Sequence, residues 1–207
     1  MKYRAYRYRL YPNEEQKVLI AKHLGSCRFI YNYALAKKVK AYQVDGTNLS
    51  RFDIQADLPN MKKSDEYCWL KEVNSLSLQA SLANLDSAFV KFFREKKGFP
   101  KFKSKKDNRQ SFSIPQNTRV KFDESRVYIP KFREGIKARF HRKFEGLVKT
   151  SVITRTPTNK YYISILVEVN EEDAKAKPIS ESKAVGIDLG IKMFAVLSDE
   201  TEIQNHK

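Results

Sequence analysis

Hydrophobic and polar positions change period several times along the 207 residues. From Tyr3 to Tyr11 aromatic side chains interleave with Arg4, Arg7 and Arg9 as far as Pro12, which reads as a strand. Beyond Pro12, Asn13 has the side chain of an N-cap and Gln16 that of its reciprocal partner, so a helix is expected to start there and end at Gly25. Ser26 then caps a second helix, with Phe29, Ile30, Tyr33, Ala34 and Ala41 on its apolar face and Arg28, Asn32, Lys37, Lys38 and Lys40 left to solvent or a ligand. A polar stretch from Asp45 to Glu66 predicts a short helix and loops. Leu78, Leu82, Leu85, Phe89 and Phe92 then step by four and three, the seam of a helix capped by Asn74 and ended by Gly98 and Pro100. Ser75 and Gln79, four residues apart, share a face away from that seam. There they either donate to nucleic-acid edges or are solvated.

The middle of the chain switches to short alternating runs, QSFSIPQ, TRVKF, RVYIP, IKARFHRKF, LVKTSVITRT and KYYISILVEV, divided by turn-like DES, REG, EG and PTN. Six strands so spaced predict a small β-barrel or sandwich. Over residues 136 to 144, Ile136, Ala138, Phe140 and Phe144 fall on one face and Lys137, Arg139, His141 and Lys143 on the other, as a barrel gripping a nucleic-acid backbone needs. The polar run after Val169 reads as a linker. In VGIDLGIKMFAVLSDE, Val185, Ile187 and Leu189 alternate with Gly186, Asp188 and Gly190, and Met193 to Leu197 follow, a pattern that predicts a β-hairpin in a buried sheet. An unpaired carboxylate inside a sheet costs several kcal/mol. Asp188 is therefore expected at a sheet edge or strand end, either as a metal ligand or as a turn aspartate capping amides beside Gly190.

Charge narrows the function. Lys and Arg number 40 against 24 Asp and Glu, a formal net charge of +16, which implies a polyanionic partner. The basic residues spread over helices, strands and loops rather than along one amphipathic helix, so nucleic acid fits better than a membrane surface. From Lys91 to Arg109 nine basic residues face only Glu95 and Asp107, a net +7, with Phe99 and Phe102 interleaved. Lys101, Lys103, Lys105, Lys106, Arg139 and Lys143 are the expected phosphate contacts. No apolar run approaches the roughly 20 residues of a membrane helix, and MKYRAYRYRL carries charges where a signal peptide is apolar. A soluble, cytoplasmic protein is expected, with Cys27 and Cys68 as reduced core thiols and no zinc site, since the two cysteines are far apart.

Several segments resemble, in order, those of the TnpB family (OrfB-type), the transposon-encoded RNA-guided DNA endonucleases related to type V CRISPR effectors. They are RLYPNEEQ, LGSCRFIYNYALA, LKEVNSLSLQASLANLDSAFVKFF, GFPKFKSKK and GIDLGIKMFAVLSDE. The resemblance implies an α+β protein. An oligonucleotide-binding-like β-barrel, the wedge domain, would comprise residues 1–11 and 108–170, with a helical recognition domain, residues 12–107, inserted in it. A linker, 171–183, would lead to the first β-hairpin of a RuvC (ribonuclease-H-like) nuclease domain at 184–207. The resemblance further implies guide RNA and double-stranded target DNA as partners. Recognition of the short motif flanking the target would fall to Arg51, Ser75, Gln79, Ser113 and Gln116. Asp188 matches the family's first catalytic, Mg²⁺-binding carboxylate. The family's distant Glu, second Asp and zinc ribbon have no counterpart in these 207 residues, so cleavage is not expected of them alone. The alternatives are a stand-alone DNA- or RNA-binding protein, such as a repressor derived from a decayed transposon gene, and a basic scaffold that docks on proteins.

Overall fold

The structure, a computed structural model, describes residues 2–108, 110–169, 180 and 184–205; Arg109 and, Ser180 apart, the expected linker 171–183 lie outside them. The chain divides into two compact units, Met1–Asn170 and Glu171–Lys207.

The first unit combines a seven-stranded antiparallel sheet with four helices. The strands are β1 (Lys2–Tyr11), β2 (Gln110–Ile114), β3 (Arg119–Lys121), β4 (Arg126–Ile129), β5 (Phe132–Arg139), β6 (Leu147–Arg155) and β7 (Tyr161–Val169). Their order is β2-β6-β7-β1-β5-β4-β3, so the N-terminal strand is central and all six expected strands of the middle region join it. The expected closed barrel is not formed: β2 and β3 are the two edges of an open sheet. β3 is only three residues long, and β2 packs against α1 (Glu14–Asp45) and α4 (Ser75–Glu95) instead of pairing with it.

Alternation sets the two faces of this sheet. Tyr6, Tyr8 and Leu10 of β1 are buried, as are Ile163, Ile165 and Val167 of β7 and Ile136 and Ala138 of β5. Full burial of each aliphatic side chain contributes about 1.5–3 kcal/mol. The helices cover this face through His23 of α1, whose ring lies 4.9 Å from Phe112 and 5.5 Å from Phe132. Tyr6 and Tyr8 are thus core residues.

α1 runs unbroken through Gly25 and Ser26, where two helices were expected. Its start is as expected, with Asn13 and Gln16 in a reciprocal capping box. Ser26 does not cap a new helix; its hydroxyl donates back to the carbonyl of Lys22 at 2.8 Å. Glycine costs a helix roughly 1 kcal/mol, but Ile20, Leu24, Cys27, Ile30 and Ala34 bury one stripe on both sides of it and carry the helix through. The turn comes at Gly46, φ 70°. Two short helices follow, α2 (Arg51–Gln55) and α3 (Asp57–Lys63), then a 3₁₀ turn over Cys68–Glu72. Cys68 is exposed on that turn, against the expectation of a core thiol, while Cys27 is buried. α4 is capped by Asn74, whose Oδ1 accepts from the Leu76 amide at 3.3 Å. It ends at Lys96, φ 52°, two residues before Gly98.

β5 also stops earlier than its pattern predicted. Residues 140 to 146 form a loop, yet Phe140 and Phe144 still reach the core, 4.8 Å from Tyr8 and 5.0 Å from Tyr6 between ring centres. Gly146 closes the loop at φ 131°, where an added Cβ would stand 2.3 Å from the carbonyl oxygen of Glu168.

The second unit is a small sheet of β8 (Ile187–Leu189), β9 (Met193–Leu197) and β10 (Glu202–Gln204) in the order β10-β9-β8. The β8–β9 hairpin follows the sequence pattern; β10 adds a third strand. The expected burial is not found, since Ile187 and Leu189 are 64% and 69% exposed and Ala195 alone is buried among the described residues of this unit.

Candidate nucleic-acid interface

The register of the large sheet sets its outer face. Directly paired residues of an antiparallel sheet share a face, with Cβ atoms about 4.5–5.5 Å apart. One row therefore runs Arg139, Arg9, Tyr162, Thr154, Ser111 across β5, β1, β7, β6 and β2. A second runs Lys121, Arg126, Lys137, Tyr11 across β3, β4, β5 and β1. A third runs Arg7, Ser164, Val152, Ser113. None of the three rows contains a carboxylate.

Aromatic rings hold the central arginines in place. The guanidinium of Arg9 lies 5.0 Å from the ring centre of Tyr162 and 5.6 Å from that of Tyr11, and its Nη1 donates to the Tyr162 hydroxyl at 3.2 Å. Arg7 lies 4.3 Å over the same Tyr162 ring. Such contacts stabilise a cation over an aromatic face without neutralising it. Arg9 and Arg139 stand directly opposite each other, a like-charge pairing that costs stability. Among the described residues neither forms an ion pair with Asp or Glu. Lys121 and Arg126 are committed elsewhere: Lys121 pairs with Glu124 at 2.6 Å and Arg126 donates to the Glu134 carbonyl at 2.8 Å.

Beside these rows lies a groove of about 660 Å³ whose lining includes Tyr11, Lys137, Arg139, His141, Arg142 and Lys143. It brings together Arg139 and Lys143, two of the expected phosphate contacts. Arg142 was not among the expected residues because strand alternation would turn it to the apolar face; the strand has ended by then, and its guanidinium lies 4.8 Å over Tyr6. Tyr162 was also missed, although the alternation in KYYISILVEV marks it as outward-facing.

The other basic candidates occupy the loop after α4. Its backbone is tied to α1 by Asn32, which accepts from the Lys103 amide at 2.8 Å and donates to the Lys103 carbonyl at 3.0 Å. Lys101, Lys105 and Lys106 are exposed. Lys103 is exposed along its length as well, but its ammonium folds back to 4.1 Å over the Tyr31 ring, where desolvation lowers its pKa from the ordinary value. Desolvation pushes the neighbouring Cys27 thiol up to about 11, so it is not a nucleophile at neutral pH.

Ser75 and Gln79 line one cleft of about 570 Å³ with Phe52, Gln55, Pro59 and Lys62. The Lys62 ammonium donates to the Ser75 hydroxyl at 2.6 Å, and its pKa is lowered, first by burial and then by Lys131. Arg51 stands at the start of α2 with its guanidinium 4.6 Å over Phe52. Ser113 and Gln116 do not line this cleft. Ser113 belongs to the outer face of the sheet, and Gln116, expected on a strand, is exposed beyond the end of β2.

Asp188 is exposed in β8, opposite Val196. Among the described residues no three His, Cys, Asp or Glu side chains come together in a way that could hold a metal. One carboxylate holds Mg²⁺ only weakly because the ion needs further oxygen ligands. These residues by themselves therefore do not fit a magnesium centre.

Residues 1–47 match a family model described as the helix-turn-helix domain of IS605 OrfB proteins; here that stretch holds β1 and one continuous helix. Over 197 residues, 95% of the chain, it is 32% identical to InsQ of Escherichia coli (strain K12), which is named as an RNA-guided DNA endonuclease. Over 206 residues, 99% of the chain, it is 33% identical to a Streptomyces pristinaespiralis protein named in the same way. The chain belongs to the TnpB (OrfB-type) family. This TnpB-family chain spans about half the length of those two relatives, 48% and 50%. It is also 39% identical over 105 residues to the virulence protein VsdF of Salmonella dublin, covering 88% of that protein and 46% of this one. Among solved structures, a CRISPR-Cas12f ternary complex and a Cas12f1–sgRNA–target DNA complex match 93% and 99% of the chain and 49% and 57% of theirs. Identities of 14% and 12% and TM-scores of 0.41 add nothing to the TnpB assignment.

Proposed function

We propose that these 207 residues are the nucleic-acid-binding N-terminal portion of an RNA-guided DNA endonuclease. The observation that carries the reading is the Arg9–Arg139 pair, two arginines directly paired across neighbouring strands in a row without carboxylates, which a polyphosphate backbone would neutralise. In this reading the seven-stranded sheet, residues 1–11 and 108–170, is the wedge, related to an oligonucleotide-binding barrel, and grips guide RNA through its outer face. Residues 12–107 are the recognition domain. Its Ser75–Gln79 cleft, with Arg51, meets the motif flanking the target in double-stranded DNA, and Ser113 and Gln116 contribute from the wedge. Lys101, Lys105 and Lys106 contact phosphates from the loop beside it.

Residues 184–207 are read as the opening hairpin of a RuvC-like nuclease domain. β9 carries apolar side chains on both faces, as in a sheet covered on both sides, while β8 places Ile187 and Leu189 on one face and Asp188 on the other. Asp188 supplies one carboxylate to a Mg²⁺ centre that needs several, and the rest of that centre belongs to sequence beyond these residues.

The test is to incubate purified residues 1–207 with guide RNA, target duplex and Mg²⁺. The reading predicts a retarded RNA complex and intact DNA. Absence of the RNA complex would overturn it, and cleavage abolished by Asp188→Ala would overturn the assignment of Asp188 as an incomplete site.

A further inference from the structure

Away from the sheet, the last turns of α1 and α4 enclose an apolar groove of about 840 Å³, within the roughly 300–1,000 Å³ of ligand-binding sites. Its wall is aromatic. Phe99 folds back from the loop to lie 5.6 Å from Phe89 and 5.3 Å from Phe92, and Phe93 lies 5.0 Å from Phe92. Tyr42 closes the α1 side. Phe93 and Tyr42 are 71% and 69% exposed, so the wall ends in two largely solvent-exposed rings.

The rim gives the chemistry of the occupant. Arg94 lines the groove and is exposed, whereas Lys38, also in the lining, is committed, its ammonium lying 5.3 Å over Phe89 and donating to the Leu49 carbonyl. Of the acidic residues nearby, Asp86 faces Lys38 at 4.0 Å and Glu95 pairs with Lys97 at 2.8 Å. The net-positive run from Lys91 to Lys106 begins at this edge. Exposed rings beside a basic strip take up flat, electron-rich groups joined to phosphates. Such groups are nucleobases, which stack on aromatic side chains while their flanking phosphates meet Lys and Arg. A duplex keeps its bases stacked and paired, whereas RNA loops and single strands present them splayed out.

We propose that this groove binds an unpaired base of an RNA strand by stacking, with Arg94 and the neighbouring lysines on the adjoining phosphates. This rests on the RNA-binding reading above and adds a second, stacking contact remote from the sheet. Because both rings are exposed, Tyr42→Ala/Phe93→Ala removes the stacking surface without opening the core.

The test uses the full chain and a short unstructured oligoribonucleotide carrying one fluorescent adenine analogue, with a DNA oligonucleotide of the same sequence alongside. Wild type is expected to quench the analogue on binding. The double variant should melt as wild type does, bind roughly tenfold more weakly and leave the analogue bright, since stacking is lost. Its salt slope should match wild type, because an apolar contact releases no counterions. Unchanged affinity and quenching in the variant, with steep salt dependence retained, would overturn the groove assignment and leave the sheet reading standing. No RNA binding by wild type would overturn both. Equal quenching with DNA would overturn the choice of RNA. Unchanged RNA binding together with lost self-association in sedimentation would make the groove a protein-docking face and overturn the proposal.

Discussion

The imidazole of His23, buried in the middle of α1, accepts the backbone N–H of Asn74 on Nε2 at 3.1 Å. Since Nε2 accepts, the ring proton is on Nδ1, which donates to the Leu19 carbonyl at 2.8 Å. One neutral tautomer thus joins α1 to the residue that caps α4. Burial holds the His23 pKa below its ordinary 6.5, with Lys131 acting in the same direction and the Leu19 bond opposing it. A histidine lowered in this way contributes its full stability above the unfolded value of about 6.5, and the contribution is lost as pH falls below that value and the unfolded chain takes up a proton. Urea midpoints should fall between about pH 7 and about pH 5, and His23→Gln should flatten that dependence. An unaltered pH profile in the variant would count against the role of His23.

Gly146 is required where it stands. Its φ of 131° and the 2.3 Å between an added Cβ and the Glu168 carbonyl leave no place for a side chain. Gly146→Ala should lower stability by about 1–3 kcal/mol, the cost of a strained backbone position. Gly25→Ala, facing nothing nearer than an Arg28 nitrogen at 4.0 Å, should instead stabilise by a few tenths to about 1 kcal/mol. Thermal melting of the two variants separates the cases.

Gln79 lines the cleft that also holds Ser75. In a complex completed with the rest of the protein, Gln79→Ala should cost about 1–3 kcal/mol of discrimination at one base of the flanking motif, the worth of a bidentate amide–adenine contact. Guide-RNA affinity should be unchanged. Competition binding with motif-substituted duplexes measures the first, and unchanged motif preference would remove Gln79 from the interface.

Local chemistry was legible in the sequence where its partners are close along the chain. The Asn13–Gln16 box and the Asn74 cap each lie within three residues, and each formed as its pattern predicts. Gly25-Ser26 misled for the opposite reason: a local stop signal was outweighed by an apolar stripe spanning both sides of it. The pairing of Arg9 with Tyr162 joins residues 153 apart, and strand order decides it, so no short pattern reveals it. Lys103 likewise reads as one more unattached lysine until Asn32, 71 residues away, ties down its loop and its ammonium is found over Tyr31.

The central claim is that opposed, uncompensated arginines on the outer sheet face hold RNA phosphates. Its most direct test is the salt dependence of single-stranded RNA binding by wild type and by Arg9→Ala/Arg139→Ala. With about six phosphates neutralised, the log–log slope for wild type should be roughly −4, and the double variant should lose about 1.4 of that, 0.7 for each arginine. A wild-type slope near zero, or an unchanged slope in the variant, would contradict the account.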